Sequence, residues 1–498
     1  MRILFIIFFL MFQLVHSAEQ QDLKNLPEFK AEFPKETVSE TRHSVKIGAD
    51  TISYKATAGN MLLKDETGKP KANIFYIAYT REGTKDFSNR PITFSFNGGP
   101  GSSSVWLHLG LLGPRRVEMT EIGNALPPPY RLVDNEYSLL DRTDLVFIDP
   151  VTTGYSRAVP GEDPKQFHGF QEDIETVAEF IRLYTTRNVR WASPKFLIGE
   201  SYGTTRAAGL SGYLQERHGM YLNGIMLVSS ILNFETARFN PGNDLPFLLF
   251  LPTYTATAWY HKKLPADLQQ SSLKNVLAQV EAFVRNEYWN ALAKGDLLAG
   301  AEKRAMVEKL SRFTGLSPAY IEQTNLRINI GRFVKELRRD ERITVGRLDS
   351  RFEGRDADAA GESYEYDPSY AVIQGPYTAT LNHYVRAELK YESDLPYEIL
   401  TDRVHPWSFK NYENEYLNVA ETLRGALNRN QHMKVFIANG YYDLATPYFA
   451  TLYTFEHIGL EPALRKNISM GFYEGGHMMY IHLPSLAQLK KDLAAFLQ

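Results

Sequence analysis

The octapeptide FLIGESYG, residues 196–203, constrains the fold more tightly than any other stretch. An apolar run from Lys195 to Ile198 breaks at Gly199-Glu200-Ser201-Tyr202-Gly203, and an amphipathic stretch from about Thr204 to Glu216 follows. The pattern predicts strand, sharp turn and helix, with Ser201 at the turn. In a nucleophile elbow, strand and helix approach so closely that side chains at positions 199 and 203 would clash, and the central residue is held in a strained backbone conformation. The plainer alternative is a loop serine ahead of a helix. G-x-S-x-G by itself does not separate the two.

The chain around the elbow alternates strand and helix. Residues 43–80 alternate apolar and polar positions between turn-forming clusters, and predict antiparallel hairpins along one sheet edge. Pro91 to Phe96 is the next strand and runs straight into Asn97-Gly98-Gly99-Pro100-Gly101, which exposes backbone N–H groups at a strand end. Leu145 to Ile148 and Ile225 to Val228 are short buried strands, and Gln171 to Tyr184 has helical periodicity. Strands alternating with helices imply an α/β chain, with a mostly parallel central sheet flanked by helices on both faces. The alternation stops after residue 235, and residues 236–375 read as an inserted helical cap. Its basic run, Lys335 to Arg347, is expected to be a solvated helix face with acidic partners. Strands return at Lys434–Ala438 and Asn467–Tyr473, and a helix from about Ser485 to Leu497 closes the chain. The core is therefore expected at 43–235 and 376–498, after a polar lead-in at 19–42.

Met1-Arg2, the apolar run Ile3–Val15 and the small residues Ser17-Ala18 read as a secretory signal peptide over residues 1–18. The run is too short to span a bilayer. The mature chain is expected to be exported, periplasmic or extracellular, with no membrane attachment after cleavage. There is no cysteine, which excludes thiolate catalysis and points to a bacterial periplasm or exterior rather than a disulfide-rich secreted protein. A net charge of −3 gives no electrostatic footprint for nucleic acid.

A serine hydroxyl needs an adjacent base, itself oriented by a third group. In hydrolases built on an elbow, the acid and then the histidine follow the serine in chain order. His457, His477 and His482 are the histidines beyond residue 434. His477 follows Gly475-Gly476 just past a strand, where a flexible loop can carry an imidazole to the elbow. Asp443 lies just past the strand Lys434–Ala438, at the sheet edge where strands end. Asp443 as a helix cap and His477 as an ordinary loop histidine are the alternatives. An oxyanion hole would take one donor from the N–H of Tyr202 and another from the Asn97–Gly101 loop, through Gly99.

Four blocks then give a specific resemblance: NGGPGSSS at 97–104 with LGP at 112–114, FIDPVTTGYS at 147–156, IGESYG at 198–203, and the pair NGYYD at 439–443 and EGGHMMY at 474–480. LNHYVRAEL at 381–389 is a weaker fifth. Together they resemble the serine carboxypeptidases of the carboxypeptidase Y and D type. The resemblance implies an α/β-hydrolase fold, no cofactor or metal, peptide substrates, removal of single C-terminal residues, and a triad at Ser201, Asp443 and His477. It also implies that Asn97 and Glu200 bind the terminal carboxylate of the substrate. Desolvation beside that carboxylate would raise the pKa of Glu200, so that the protonated acid donates to it. A glutamate that merely caps the elbow helix is the alternative.

The chain departs from the family pattern at three positions. The second glutamate of the carboxylate site falls, fourteen residues on from Asn97, at Leu111; the usual tryptophan is Ser95 and the usual cysteine Ser102. Either Asn97 and Glu200 suffice, or another group such as His108 helps, or the substrate is not a free C-terminus. Three functions stay open: a carboxypeptidase, a carboxypeptidase-like acyltransferase or esterase with the same triad, and an inert binding protein on the same fold.

Overall fold

The computed structural model describes residues 34–498. The signal-peptide reading of 1–18 and most of the lead-in lie outside the described residues. The described residues form a ten-stranded sheet. Nine strands make its path: β1 (Val38–Ile47), β2 (Asp50–Lys64), β3 (Pro70–Arg81), β4 (Ile92–Phe96), β5 (Asp144–Ile148), β6 (Lys195–Ser201), β7 (Gly224–Ser230), β8 (Lys434–Gly440) and β9 (Ile468–Tyr473). In space they run β1-β2-β3-β5-β4-β6-β7-β8-β9, and Arg157–Ala158 pairs off the path against β3.

The pairs β1/β2, β2/β3 and β3/β5 are antiparallel, and every pair from β5 to β9 is parallel. This is the mostly parallel, helix-flanked sheet of an α/β-hydrolase. Strand β1 begins at Val38, paired with Gly59, so regular structure starts inside the range read as lead-in.

Alternation along the parallel strands feeds two layers. Ile198, Met226, Val228, Phe436 and Ala438 face one buried cluster, while Leu197, Ile225, Leu227, Val435 and Ile437 face the other. The first layer holds the helix Pro368–Ala387 and the C-terminal helix Leu483–Phe496. The second holds Phe170–Arg187, the elbow helix Tyr202–His218 and Ala420–Arg429. Strands buried on both faces carry near-continuous apolar runs, which is why the short strands were legible.

Between β7 and β8 the chain leaves the sheet. Helices Leu245–Tyr260, Leu273–Phe283 and Gly300–Thr314 build a third buried cluster, which also takes in Tyr442, Leu444, Tyr448 and Phe449 from the segment after β8. Helix Pro368–Ala387 runs across residue 375, the expected end of the cap, and its Tyr377, Leu381 and Tyr384 pack into the sheet layer. In the basic run, Lys335 pairs with Asp356, Arg338 with Glu341 and Glu353, and Arg339 with Glu336. Lys335–Asp356 is buried at 1% exposure on both sides rather than solvated.

Candidate active site

The carboxyl ends of β4, β6, β8 and β9 meet along one edge of the sheet, and each candidate residue lies at or just past one of them. Ser201 closes β6 with φ 60° and ψ −129°. A positive φ of this kind in a non-glycine residue is strained and persists only where the surroundings fix it. They do so through the flanking glycines: a Cβ on Gly199 would lie 2.0 Å from the carbonyl oxygen of Gly203, and one on Gly203 would lie 2.7 Å from that of Phe96. The elbow helix starts at Tyr202, so the N–H groups of its first turn lack intrahelical acceptors.

The glycine loop after β4 lies against this turn. A Cβ on Gly98 would lie 2.4 Å from the backbone nitrogen of Tyr202, and Gly99 has φ +100°. The backbone of Asn97 is held from below by Arg206, whose guanidinium donates to its carbonyl at 2.6 Å and pairs with buried Asp173 at 2.7 Å. The following residues are held by Asp149 of the FIDPVTTGYS block, which accepts from the N–H of Ser104 and the hydroxyl of Tyr397, both at 2.8 Å.

Asp443 is fully buried, and its Oδ1 accepts from the N–H groups of Ala445 (2.8 Å) and Thr446 (3.0 Å). Its Oδ2 takes the Thr446 hydroxyl at 2.7 Å and faces His477 Nδ1 at 2.8 Å. Burial pulls the imidazole pKa of His477 down, but the charge and hydrogen bond of Asp443, with Glu200 beyond, outweigh it and the net shift is upward. The His477 backbone is clamped by its N–H to Leu348 O (2.6 Å) and by Ser229 Oγ donating to its carbonyl (2.7 Å). A carboxylate on Nδ1 leaves Nε2 free to work as a base. Ser201 and His477 line one cavity of about 290 Å³. No hydrogen bond joins them among the described contacts, and such bonds commonly tighten only around a substrate.

Asn97 and Glu200 line the same cavity. Asn97 Oδ1 accepts from the N–H of Leu107 (3.1 Å), which orients its amide so that Nδ2 donates to Glu200 Oε1 at 3.1 Å. Glu200 is 3% exposed, and burial pushes its pKa up to about 7, against the charge of His477 and the hydrogen bonds of Tyr480 and Asn97.

The edge thus gathers a strained serine, a buried acid–imidazole pair, a glycine loop and a second acid of raised pKa. The sequence profile described as serine carboxypeptidase matches residues 49–470. The chain belongs to the serine carboxypeptidase family. Curated relatives are more distant. Serine carboxypeptidase-like 34 of Arabidopsis thaliana is 27% identical over 38% of this chain and 37% of its own length. The pheromone-processing carboxypeptidase KEX1 of Saccharomyces cerevisiae is 30% identical over 29% of this chain and 20% of its own. The matches thus span well under half of those relatives. Among solved structures, the KEX1 prohormone-processing carboxypeptidase of Saccharomyces cerevisiae superposes with a TM-score of 0.53 at 16% identity, covering 89% of this chain and 91% of that one. That likeness concerns the fold.

Three sequence candidates lie elsewhere. His108 is buried with Nε2 on the Tyr79 hydroxyl at 2.7 Å and its ring 4.3 Å from that of Phe147. Burial pushes its pKa down to about 3, and no hydrogen bond among the described contacts links it to Glu200. His457 stacks on Tyr453 at 4.0 Å, and His482 Nδ1 bonds Ser485 Oγ at 2.8 Å. Two residues the sequence did not single out belong to the site. Tyr480 donates its hydroxyl to Glu200 Oε2 at 2.5 Å. Arg347, expected on a solvated face, lines the cavity instead, next to Leu348, whose carbonyl holds His477. Both lie in stretches already marked, one inside EGGHMMY and one ending the basic run.

Proposed function

We propose that this chain is an exported serine carboxypeptidase that releases single residues from the free C-termini of peptides. In this reading Ser201 attacks the last peptide carbonyl and His477 Nε2 takes its proton, with Asp443 holding the imidazole. The N–H groups of Gly99 and Tyr202 stabilise the oxyanion. His477 then returns the proton to the departing amine, and a water deacylates Ser201 by the same path. The cap at 236–375 covers the catalytic edge. Export rests on the signal-like N-terminus. No helix among the described residues is long and apolar enough to cross a membrane.

The observation that carries the reading is the buried Glu200 carboxyl beside Ser201, held by Asn97 and facing the same cavity. A protonated carboxyl donates a hydrogen bond to a substrate carboxylate, whereas an ionised one repels it. With a pKa near 7, the donor form is populated below that pH and is lost as the pH rises through it. The raised pKa of His477 sets the opposite limb, because the base must be neutral. The charge of each group acts on the titration of the other. Neutral imidazole with neutral carboxyl carries the same net charge as imidazolium with carboxylate. An arriving substrate carboxylate favours the first state, which is the one that can react.

The test is the pH profile of kcat/KM on a blocked dipeptide with a free carboxylate. Wild type is expected to lose activity as the pH passes about 7. Glu200→Gln, which stays neutral, flattens that decline. An unchanged profile would clear Glu200 of the role. The absence of a glutamate at position 111 favours an acyltransferase or esterase as the second reading. That reading predicts no dependence on a free carboxylate at any pH.

A further inference from the structure

Glu200 is gripped at both oxygens, but by groups of different kinds. Asn97, which grips Oε1, lines the cavity, and Tyr480, which grips Oε2, does not. Oε1 therefore sits at the cavity wall and Oε2 faces the core. Tyr480 belongs to the short turn Met479–Ile481 after His477 and is fully buried. Its ring reaches across to the helical segment after the glycine loop, where there is space because residue 110 is glycine. A Cβ there would lie 2.4 Å from Tyr480 Cε2 and 2.7 Å from the Tyr377 hydroxyl. The segment His108–Leu112 is also π-helical, a widened turn of the kind found at functional sites.

A neutral carboxyl can carry its proton on either oxygen, and only one choice helps. If the proton sat on Oε2 it would point into the core at Tyr480. Oε2 is the partner of the Tyr480 hydroxyl among the described contacts, so a Tyr480 that accepted from Oε2 would leave its own buried O–H without an acceptor; donating to Oε2 satisfies it and occupies that oxygen as an acceptor. The acid proton then belongs on Oε1. The amide nitrogen of Asn97 can donate but cannot accept, so the Oε1 proton is left to point into the cavity. The second N–H of Asn97 stands beside it. We infer that Tyr480 is a positioning residue: by donating to Oε2 it places the acid proton of Glu200 on Oε1, where that proton and Asn97 can together receive a substrate carboxylate. The inference rests on the carboxypeptidase reading and names the residue that completes its carboxylate site in the absence of an acid at position 111.

The titratable groups around Glu200 are His477 and Asp443 from the loops after β9 and β8, Tyr480 from the turn beyond, and Tyr377 from helix Pro368–Ala387. Tyr480 is the one of these that hydrogen-bonds Glu200 directly, and its donation favours the carboxylate form. Removing it should therefore have two consequences of different sign. The proton is placed less well, so binding of the carboxylate weakens. Glu200 also keeps its proton to higher pH.

The experiment compares wild type with Tyr480→Phe on a blocked dipeptide acid and on a blocked amino-acid ester that has no carboxylate. At pH 5 the ratio of acid to ester kcat/KM should fall about tenfold, through KM rather than kcat, the size of one lost hydrogen bond. The high-pH decline on the acid should move upward. A packing role would lower both substrates together and leave the decline where it was, and that result overturns the inference. If Tyr480→Phe does not fold, fluorotyrosine at position 480 keeps the shape but donates more strongly. The decline should then move downward, and an unmoved decline overturns the inference as well. Wild type that treats acid and amide alike would overturn the carboxypeptidase reading and this inference with it.

Discussion

Ser201→Ala lowers kcat on a blocked dipeptide by about a millionfold, the loss seen when the nucleophile of a serine triad is removed. His477→Ala gives a similar loss, and combining the two adds little, because the pair acts as one unit. The measurement is initial-rate kinetics at pH 5–6, with circular dichroism to show that the fold is kept. Ser201 donates no hydrogen bond that the fold depends on among the described contacts, so Ser201→Ala should keep its melting temperature. Only the strained φ of 60° would change its cost, and alanine bears that strain about as serine does. Substantial residual turnover by Ser201→Ala would place the nucleophile elsewhere.

Gly98→Ala has the second-largest expected effect. The added methyl would lie 2.4 Å from the nitrogen of Tyr202, 2.7 Å from the carbonyl oxygen of Glu200 and 2.8 Å from the nitrogen of Gly203. All three are backbone atoms of the elbow, so no side chain can swing aside. Either the glycine loop or the elbow must retreat. Retreat displaces the N–H groups of Gly99 and Tyr202 from each other, which at an oxyanion hole costs a hundredfold to a thousandfold in kcat. Overpacking of this kind also costs about 1–3 kcal/mol of stability. The checks are kcat and the urea midpoint. Wild-type values for both would mean that the loop is not held against the elbow.

The legible parts of the chain share a cause. Short strands buried on both faces leave apolar runs, and a strand end followed by glycine or a lone acid marks the candidate edge. Ser201, Asp443 and His477 stand out as candidates because each sits at or just past the end of such a run. The start of the edge strand β1 does not stand out. Its first seven residues alternate between exposed and half-buried, so no apolar face marks where Val38 begins it. Helix Pro368–Ala387 crosses the expected cap boundary because chain order says nothing about which layer a helix packs against.

The proposed carboxylate site shows the limit most clearly. Placing His108 one turn before Leu111 assumes ordinary helical geometry. His108–Leu112 is π-helical, and His108 turns instead toward Tyr79 and Phe147. Tyr480 depends on a loop path and on the open space at Gly110, neither of which a local pattern encodes. Arg347 ends a basic run in which Lys335, Arg338 and Arg339 pair with acids, and charge spacing does not reveal which member faces a cavity.

The most direct test of the central claim gives wild-type protein a blocked dipeptide with a free C-terminus and its C-terminal amide, at pH 5–6, with products read by mass spectrometry. Rapid release of one C-terminal residue from the acid, with turnover of the amide reduced at least tenfold, is the predicted result. Equal turnover of acid and amide would contradict it.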